Sequence, residues 1–346
     1  MSGVRQVGVG AEDADQRLDR WLRRLHPQVS QARIERMCRK GEIRVDGGRV
    51  KPSTRLEAGQ SVRLPPIADE ALPPAPEAAV SEADAAMIRA AVLYRDDEVI
   101  ALNKPPGLAV QGGTGTRRHV DGLAEALRFG AAEKPRLVHR LDRDTSGVLL
   151  LARSARAAAA LARAFQARGT RKVYWAAVAG APSPPAGTIR TGLVKAPGHG
   201  TSGEAEKMLV VAFDRVAATE GAKRAVTDYA TINAAAGRAA WLALEPVTGR
   251  THQLRAQMAA IGHPIVGDGK YGGSGQANRG DGWGAQLGGG VSRKLHLHAR
   301  SIDVPHPTTG KRLVVTAPLP EHMVRTWELF GWRAEDAPDD PFEERR

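Results

Sequence analysis

Apolar positions follow two textures along the chain. Near the N-terminus, Leu18, Trp21, Leu22 and Leu25 recur at helical spacing. Ile34, Met37 and Cys38 form the inner stripe of a second helix over Gln31–Lys40, with Ser30 placed to cap it and Gly41 to end it. Arg33, Arg36, Arg39 and Lys40 then face outward. A short strand at Glu42–Val45, a tight turn at Asp46-Gly47-Gly48 and a strand at Ser61–Leu64 complete a small unit of two helices and two or three strands. From about Asp97 the texture changes to short apolar runs. Val99–Asn103, Val148–Ala152, Val173–Val178, Leu209–Phe213, Ala225–Ile232 and Ala240–Pro246 read as strands. A helix capped by Ser154 carries Leu161 and Phe165 and stops at Gly169. Another over Thr251–Ile261 carries Leu254, Met258 and Ile261 and stops at Gly262. The uneven gaps between strands suit a mixed sheet with insertions.

Composition sharpens the division. The 346 residues exceed the usual span of one domain. Residues 66–90 carry four prolines, five acidic residues and one basic residue, so they read as a linker between a domain at 1–65 and a larger one at 91–330. Residues 331–346 read as a flexible tail and the Gly-rich stretch 272–292 as a flexible loop. The net charge of +12 points to a polyanion, nucleic acid first, and half of it sits in residues 1–65. A single cysteine, Cys38, excludes an intramolecular disulfide framework or a multi-cysteine zinc site and suits a cytoplasmic protein. No apolar run nears the roughly 18 residues of a membrane span, and Met1–Gly10 lacks a signal-peptide core. Neither a phosphate-binding loop of the ATPases nor a dinucleotide fingerprint occurs, so no cofactor and no metal are expected.

Three clusters can carry chemistry. His139-Arg140-Leu141-Asp142-Arg143-Asp144-Thr145-Ser146-Gly147 is a charged turn running into the apolar strand that follows. It sets two carboxylates at the edge of a rigid core, with Arg140 and Arg143 in reach of an anion. Read alone, it also fits a salt-bridged turn, or a glycosidase pair at Asp142 and Asp144. In Thr248-Gly249-Arg250-Thr251-His252-Gln253-Leu254-Arg255, Thr248 or Thr251 would open a helix, where free N–H groups favour phosphate. His252 and Arg255 share a face three residues apart, and Arg255 is suited to a partly buried pair with a carboxylate. Lys172-Val173-Tyr174-Trp175 places Tyr174 on one face of a strand.

Together these clusters resemble the bacterial large-subunit rRNA pseudouridine synthases. Asn103-Lys104-Pro105 with Gly107, His139-Arg140-Leu141-Asp142 with Thr145-Ser146-Gly147, and Lys172-x-Tyr174-x-Ala176-x-Val178-x-Gly180 carry the likeness. So do Pro246-x-Thr248 through Arg255, Gly262-His263-Pro264 with Asp268 and Tyr271-Gly272, and Leu297-His298-Ala299 before His306-Pro307. Arg255-Ala256-Gln257 departs from the family's usual Val-His, which touches a local RNA or packing contact. Residues 12–65 resemble the small RNA-binding domain shared with ribosomal protein S-four, and Gly41-Glu42-Ile43-Arg44-Val45 looks most like the C type of the family.

The resemblance implies an α+β pseudouridine synthase fold, a mixed and largely antiparallel bent sheet with flanking helices, joined to a small α+β RNA-binding domain. It implies Asp142 as catalytic aspartate, Tyr174 as active-site tyrosine, Arg255 as the aspartate's partner that keeps it ionised, and Leu297 beneath the target base. Arg140, Thr251 and His252 are expected at the substrate, and Arg33, Arg36, Arg39 and Lys40 on RNA. The expected enzyme isomerises uridines of 23S rRNA, needs no cofactor and is a monomer by default. The rivals are a non-catalytic rRNA-binding or ribosome-assembly protein, a synthase of D-type or other RNA specificity, and a glycoside or nucleoside hydrolase.

Overall fold

The computed structural model describes residues 3–67, 80–112, 116, 118–167, 169–196, 207–272 and 290–343. The chain divides into two compact units, Met1–Ala79 and Val80–Arg346.

In the first unit, β1 (Arg5–Gly8), α1 (Leu18–Leu25), α2 (Gln31–Lys40), β2 (Arg44–Val45), β3 (Gly48–Arg49) and β4 (Ser61–Leu64) follow one another. The strands pair antiparallel in the order β1-β4-β2-β3. The helices pack on one core that includes Leu18, Trp21, Leu22, Ile34, Ile43, Leu56 and Val62. The Ser30 hydroxyl accepts from Arg33 N and Gly41 closes α2 in the left-handed region. Arg33, Arg36, Arg39 and Lys40 are exposed on α2, opposite the buried Ile34, Met37 and Cys38. Two readings change. β1 is an additional strand whose exposed positions give no alternating signal. Leu25, in the last turn of α1, is 40% exposed rather than part of the stripe.

The second unit begins with α3 (Glu82–Ala90), β5 (Val92–Arg95), β6 (Val99–Lys104), α4 (Val120–Leu123), β7 (Arg136–Leu137), β8 (Ser146–Ala152) and α5 (Ala155–Gln166). It continues with β9 (Arg171–Ala179), β10 (Ala186–Lys195), β11 (Met208–Val211), β12 (Lys223–Ala235), β13 (Ala239–Pro246), α6 (Gln253–Ala260), β14 (Leu297–Pro305), β15 (Arg312–Thr316) and α7 (Glu321–Phe330). Among the described residues an 11-stranded sheet runs in the order β11-β10-β12-β13-β9-β14-β8-β6-β5, with β15 beside β14 and β7 beside β8. Its one parallel pairing, β14 with β8, sets His298 opposite Ser146 and Ala299 opposite Gly147. The fold is thus α+β, with a mixed and mostly antiparallel sheet. Every residue of β8 is buried, as its unbroken apolar run implies.

The segment read as a linker is structured at its end. Ser81 caps α3 by accepting from Asp84 N at 3.1 Å, and Ala85 and Ile88 are buried. Proline and acid had masked this short amphipathic stretch. Residues 331–343, read as flexible, are anchored: Trp332 and Phe342 join the core of Trp241 and Trp327, and Arg171 links Glu245 (2.8 Å) to Asp340 (2.5 Å). Two aromatic residues in a charged stretch supply that anchor. Of the 272–292 loop, residues 273–289 lie outside the described residues.

Candidate active site

The Asp142 turn is held from below by buried polar contacts. Lys104 ends β6, is fully buried, and donates to the carbonyls of Pro105, Leu108 and Arg143, each at 2.9 Å. Burial pushes its pKa down to about 7, against the opposing pull of Asp144 and Asp142. Gly107 N also donates to the Arg143 carbonyl at 3.0 Å, and Thr145 N to that of Asp142 at 3.2 Å. His139 Nε2 accepts from Leu150 N at 2.9 Å. Burial, aided by the Lys172 cation, pushes its pKa down to about 3, so the ring is neutral. Gly147 follows the turn at φ +108°, where a Cβ would lie 2.2 Å from the Ala299 carbonyl oxygen. Only glycine lets β8 and β14 approach this closely. Beside it, the Ser146 hydroxyl lies 2.9 Å from His298 Nδ1, while His298 Nε2 faces the Ala317 carbonyl at 3.2 Å. A carbonyl only accepts, so Nε2 carries the proton and Ser146 donates to Nδ1.

Helix α6 brings the counter-charge. Arg255 makes a two-pronged contact with Asp268, Nε to Oδ2 at 2.7 Å and Nη2 to Oδ1 at 2.8 Å. Its free Nη1 faces Asp142 Oδ2 at 3.4 Å. Both members of the Arg255–Asp268 pair are buried, whereas the Asp142 side chain is 25% exposed. Burial alone would raise the Asp268 pKa, but Arg255 and the amides of Lys270 and Tyr271 hold it below the usual carboxylate range. His252 Nε2 lies 3.9 Å from the same Asp142 oxygen. Its Nδ1 meets the Tyr271 hydroxyl at 3.0 Å, and that hydroxyl accepts from Met208 N at 2.8 Å. The hydroxyl proton is thereby available to Nδ1, which leaves the proton of a neutral ring on Nε2, toward Asp142. Burial lowers the His252 pKa, with Asp142 opposing.

Tyr174, on β9, packs against the apolar cluster that includes Leu297, Leu254 and Ile265. Burial first, then the Asp142 charge, raises its pKa, so its phenol stays protonated. Leu297 is 3% exposed, and β14 sets it beside Ala176 of the same strand as Tyr174. The apolar floor and the Asp142–Arg255–Asp268 array thus arise from β9, β14, α6 and the turn before β8.

Not every expected residue joins this group. Arg140 is exposed, and Thr251 is half-buried without opening the helix. The N-cap of α6 is His252, in the left-handed region at φ 51°. Thr248 does not present a free hydroxyl to phosphate either: its Oγ1 donates to Gln253 Oε1 at 2.7 Å and accepts from Val226 N at 2.9 Å. Nor is α6 one-sided. Ile261 is 37% exposed, while Gln253, Arg255 and Gln257 are buried. Asp268, Tyr271 and Lys104 stood in the resembling motifs with no role assigned. Asp268 and Tyr271 lie past the stop of α6, where helical spacing gives no pairing signal.

Gln257, at the departure from the family pattern, makes a packing contact. Its Oε1 accepts from Thr227 Oγ1 at 2.6 Å and its Nε2 donates to Thr191 Oγ1 at 3.0 Å and the Ala225 carbonyl at 3.1 Å. It moors α6, and with it Arg255, to β10 and β12. Gln257→Leu keeps the bulk and orphans these buried groups, so unfolding free energy in urea should fall by about 1–3 kcal/mol. An unchanged midpoint would refute this mooring.

Among the described residues, no helix is long and apolar enough to cross a membrane. A family model described as RNA pseudouridylate synthase matches residues 98–260, and one for the S4 domain matches residues 16–62. The chain is 34% identical over 338 residues to "Ribosomal large subunit pseudouridine synthase C" of Salmonella typhi, covering 96% of this chain and 98% of the relative. It is 34% identical to the protein of the same name in Vibrio cholerae, covering 92% and 95%. Among solved structures, "Human RNA Pseudouridylate Synthase Domain Containing 4" superposes with a TM-score of 0.56 at 28% identity, covering 71% of this chain and 95% of that one.

Proposed function

The chain belongs to the RNA pseudouridylate synthase family, and on that premise we propose that it isomerises specific uridines of 23S rRNA to pseudouridine, with Asp142 as the catalytic carboxylate. One observation carries the assignment of Asp142. Its partly exposed carboxylate faces a buried arginine 113 residues away that is already neutralised by Asp268. Structure alone has no need of that second carboxylate.

The reaction breaks the N1–C1′ bond of uridine, turns the uracil, and forms a C5–C1′ bond. The C5 proton is lost and N1 gains one, with no redox change. Both available routes use a carboxylate at the sugar: addition to C1′, or removal of the C2′ proton to give a glycal. Arg255 fixes the Asp142 carboxylate and supplies positive charge beside it. The protonated Tyr174 ring offers a face on which the detached uracil turns, above the apolar Leu297. His252 presents Nε2–H to the same site, and Thr251 and Arg140 contact the flanking nucleotide. The target base has to leave its stack, at a cost of a few kcal/mol that is lower in a loop. The exposed Arg33, Arg36, Arg39 and Lys40 of the first unit hold RNA through its phosphates. We assign the 1–65 module to RNA binding and the second unit, which begins at Val80, to catalysis, in a cytoplasmic monomer without a cofactor.

Pseudouridine mapping of rRNA from a strain lacking this chain tests the proposal. One or more 23S positions should revert to uridine and return on complementation, and the positions lost separate a C-type from a D-type specificity. A full set of large-subunit pseudouridines in that strain would overturn the substrate assignment.

A further inference from the structure

A cavity of about 670 Å³ opens beside the Asp142 turn, with Pro106, Gly107 and Asp144 on one wall and Gly267, Lys270, Arg293 and Lys294 on the other. Arg255 also reaches this space, but Asp268 and Asp142 occupy its charge. Arg293 and Lys294 are exposed, and among the described residues neither has a carboxylate within ion-pair distance. The wall that carries them is rigid. His296 N donates to the Val266 carbonyl at 2.9 Å, and the carbonyls of Lys294 and Leu295 face His296 Nδ1 (2.8 Å) and His322 Nε2 (3.0 Å). Gly267, at φ +74°, lies so close that a Cβ there would sit 2.0 Å from the Lys294 carbonyl oxygen. The segment that carries Lys270 is therefore locked onto the segment that carries Arg293 and Lys294. Nothing in the chemistry assigned to Asp142, Tyr174 and Arg255 uses these cations.

Arg293 and Lys294, on a fixed backbone beside Lys270 and lining a cavity large enough for a uridine, suit a polynucleotide, whose charge lies one sugar away from each base. Resting on the reading of this cleft as a uridine site, we propose that Lys270, Arg293 and Lys294 form a phosphate subsite. They grip one backbone phosphate adjoining the target uridine and so set its sugar against Asp142. They are positioning residues, since they act on the linkage and not on the reacting bonds.

The test uses the full-length protein and a synthetic RNA stem-loop carrying a mapped target uridine. The probe is made with ordinary linkages, or with a neutral methylphosphonate at either the 5′ or the 3′ linkage of that uridine. For the wild type, one of the two neutral linkages should raise Kd about tenfold, the effect of one charge-assisted hydrogen bond. For the Arg293→Gln/Lys294→Gln double variant, Kd for the ordinary RNA rises by a similar factor and the neutral linkage then has no further effect. KM should rise while kcat stays within about twofold, and Arg293→Lys should recover most of the loss. The linkage that couples identifies the phosphate. If both neutral linkages weaken the wild type and the double variant equally, the subsite is refuted. If the double variant lowers kcat at unchanged KM, the grip on the phosphate in the bound ground state is refuted as well. Turnover by the wild type without coupling removes this inference and leaves the synthase reading intact. Coupling without turnover removes the synthase reading and leaves the phosphate subsite.

Discussion

Asp142→Asn should lower pseudouridine formation by about 10³-fold or more, the scale set by loss of a carboxylate that acts in the transition state, while RNA affinity stays within about threefold. The exchange is nearly isosteric, and the structure explains why it should spare the fold. Asp142 is one-quarter exposed and its carboxylate meets Arg255 at 3.4 Å and His252 at 3.9 Å. Removing its charge does not orphan the buried guanidinium, because Asp268 keeps both short contacts, 2.7 and 2.8 Å. Stability in urea should therefore shift by less than about 1 kcal/mol, as for a surface exchange. Activity, affinity and stability are then separable in one variant. Product formation by Asp142→Asn at the wild-type rate would end the assignment of this residue. Loss of RNA binding together with activity would instead place Asp142 in recognition and favour a binding protein.

The sequence made the local elements legible and left the long-range charge pairing hidden. Ser30, Gly41 and the stripe of Ile34, Met37 and Cys38 specify α2 through capping, a left-handed stop and burial, all of which act within a few residues. Spacing alone placed His252 and Arg255 on one face, and both do point toward Asp142. It gave no sign of Asp268, whose pairing with Arg255 depends on the chain turning back after α6. It also missed β10, where Gly187, Thr188, Arg190, Thr191 and Gly192 interrupt the apolar pattern, because continuous pairing with Lys223–Ala230 of β12 replaces the missing side-chain signal. Helix α6 reads as amphipathic only if Gln253 and Gln257 are assumed to face water. Both are buried because each finds hydrogen-bond partners on β12 or its flanks. The resemblance supplied what spacing could not, by setting Asp268 and Tyr271 beside the other motifs without saying what they touch.

The largest stability effect should come from Asp268→Asn. The change keeps the shape and removes the charge that neutralises Arg255, leaving a buried guanidinium whose one nearby counter-charge among the described residues is the more distant Asp142. Breaking a buried pair from one side costs about 3–5 kcal/mol, because the remaining charge is held out of water. Activity should fall with it, since Arg255 is then free to turn toward Asp142 and close on the carboxylate that the reaction needs. The pH dependence has a fixed sign. The Asp268 carboxyl is held below its ordinary range in the folded protein, so its contribution is complete above the unfolded carboxylate range and is lost as pH falls through the lowered folded value. The gap in stability between wild type and Asp268→Asn should therefore narrow on acidification below about pH 4. Pairing Arg255→Met with Asp268→Leu removes both charges and should recover much of the lost stability, because an apolar pair can replace a buried ionic one at little cost. That double variant should remain inactive, with Asp142 facing no cation. Urea unfolding at pH 7 and at acid pH, run beside a pseudouridine assay, separates these outcomes. A single variant as stable as the wild type would show that Arg255 finds its counter-charge elsewhere. A double variant that regains activity along with stability would show that the guanidinium serves the fold and not the reaction.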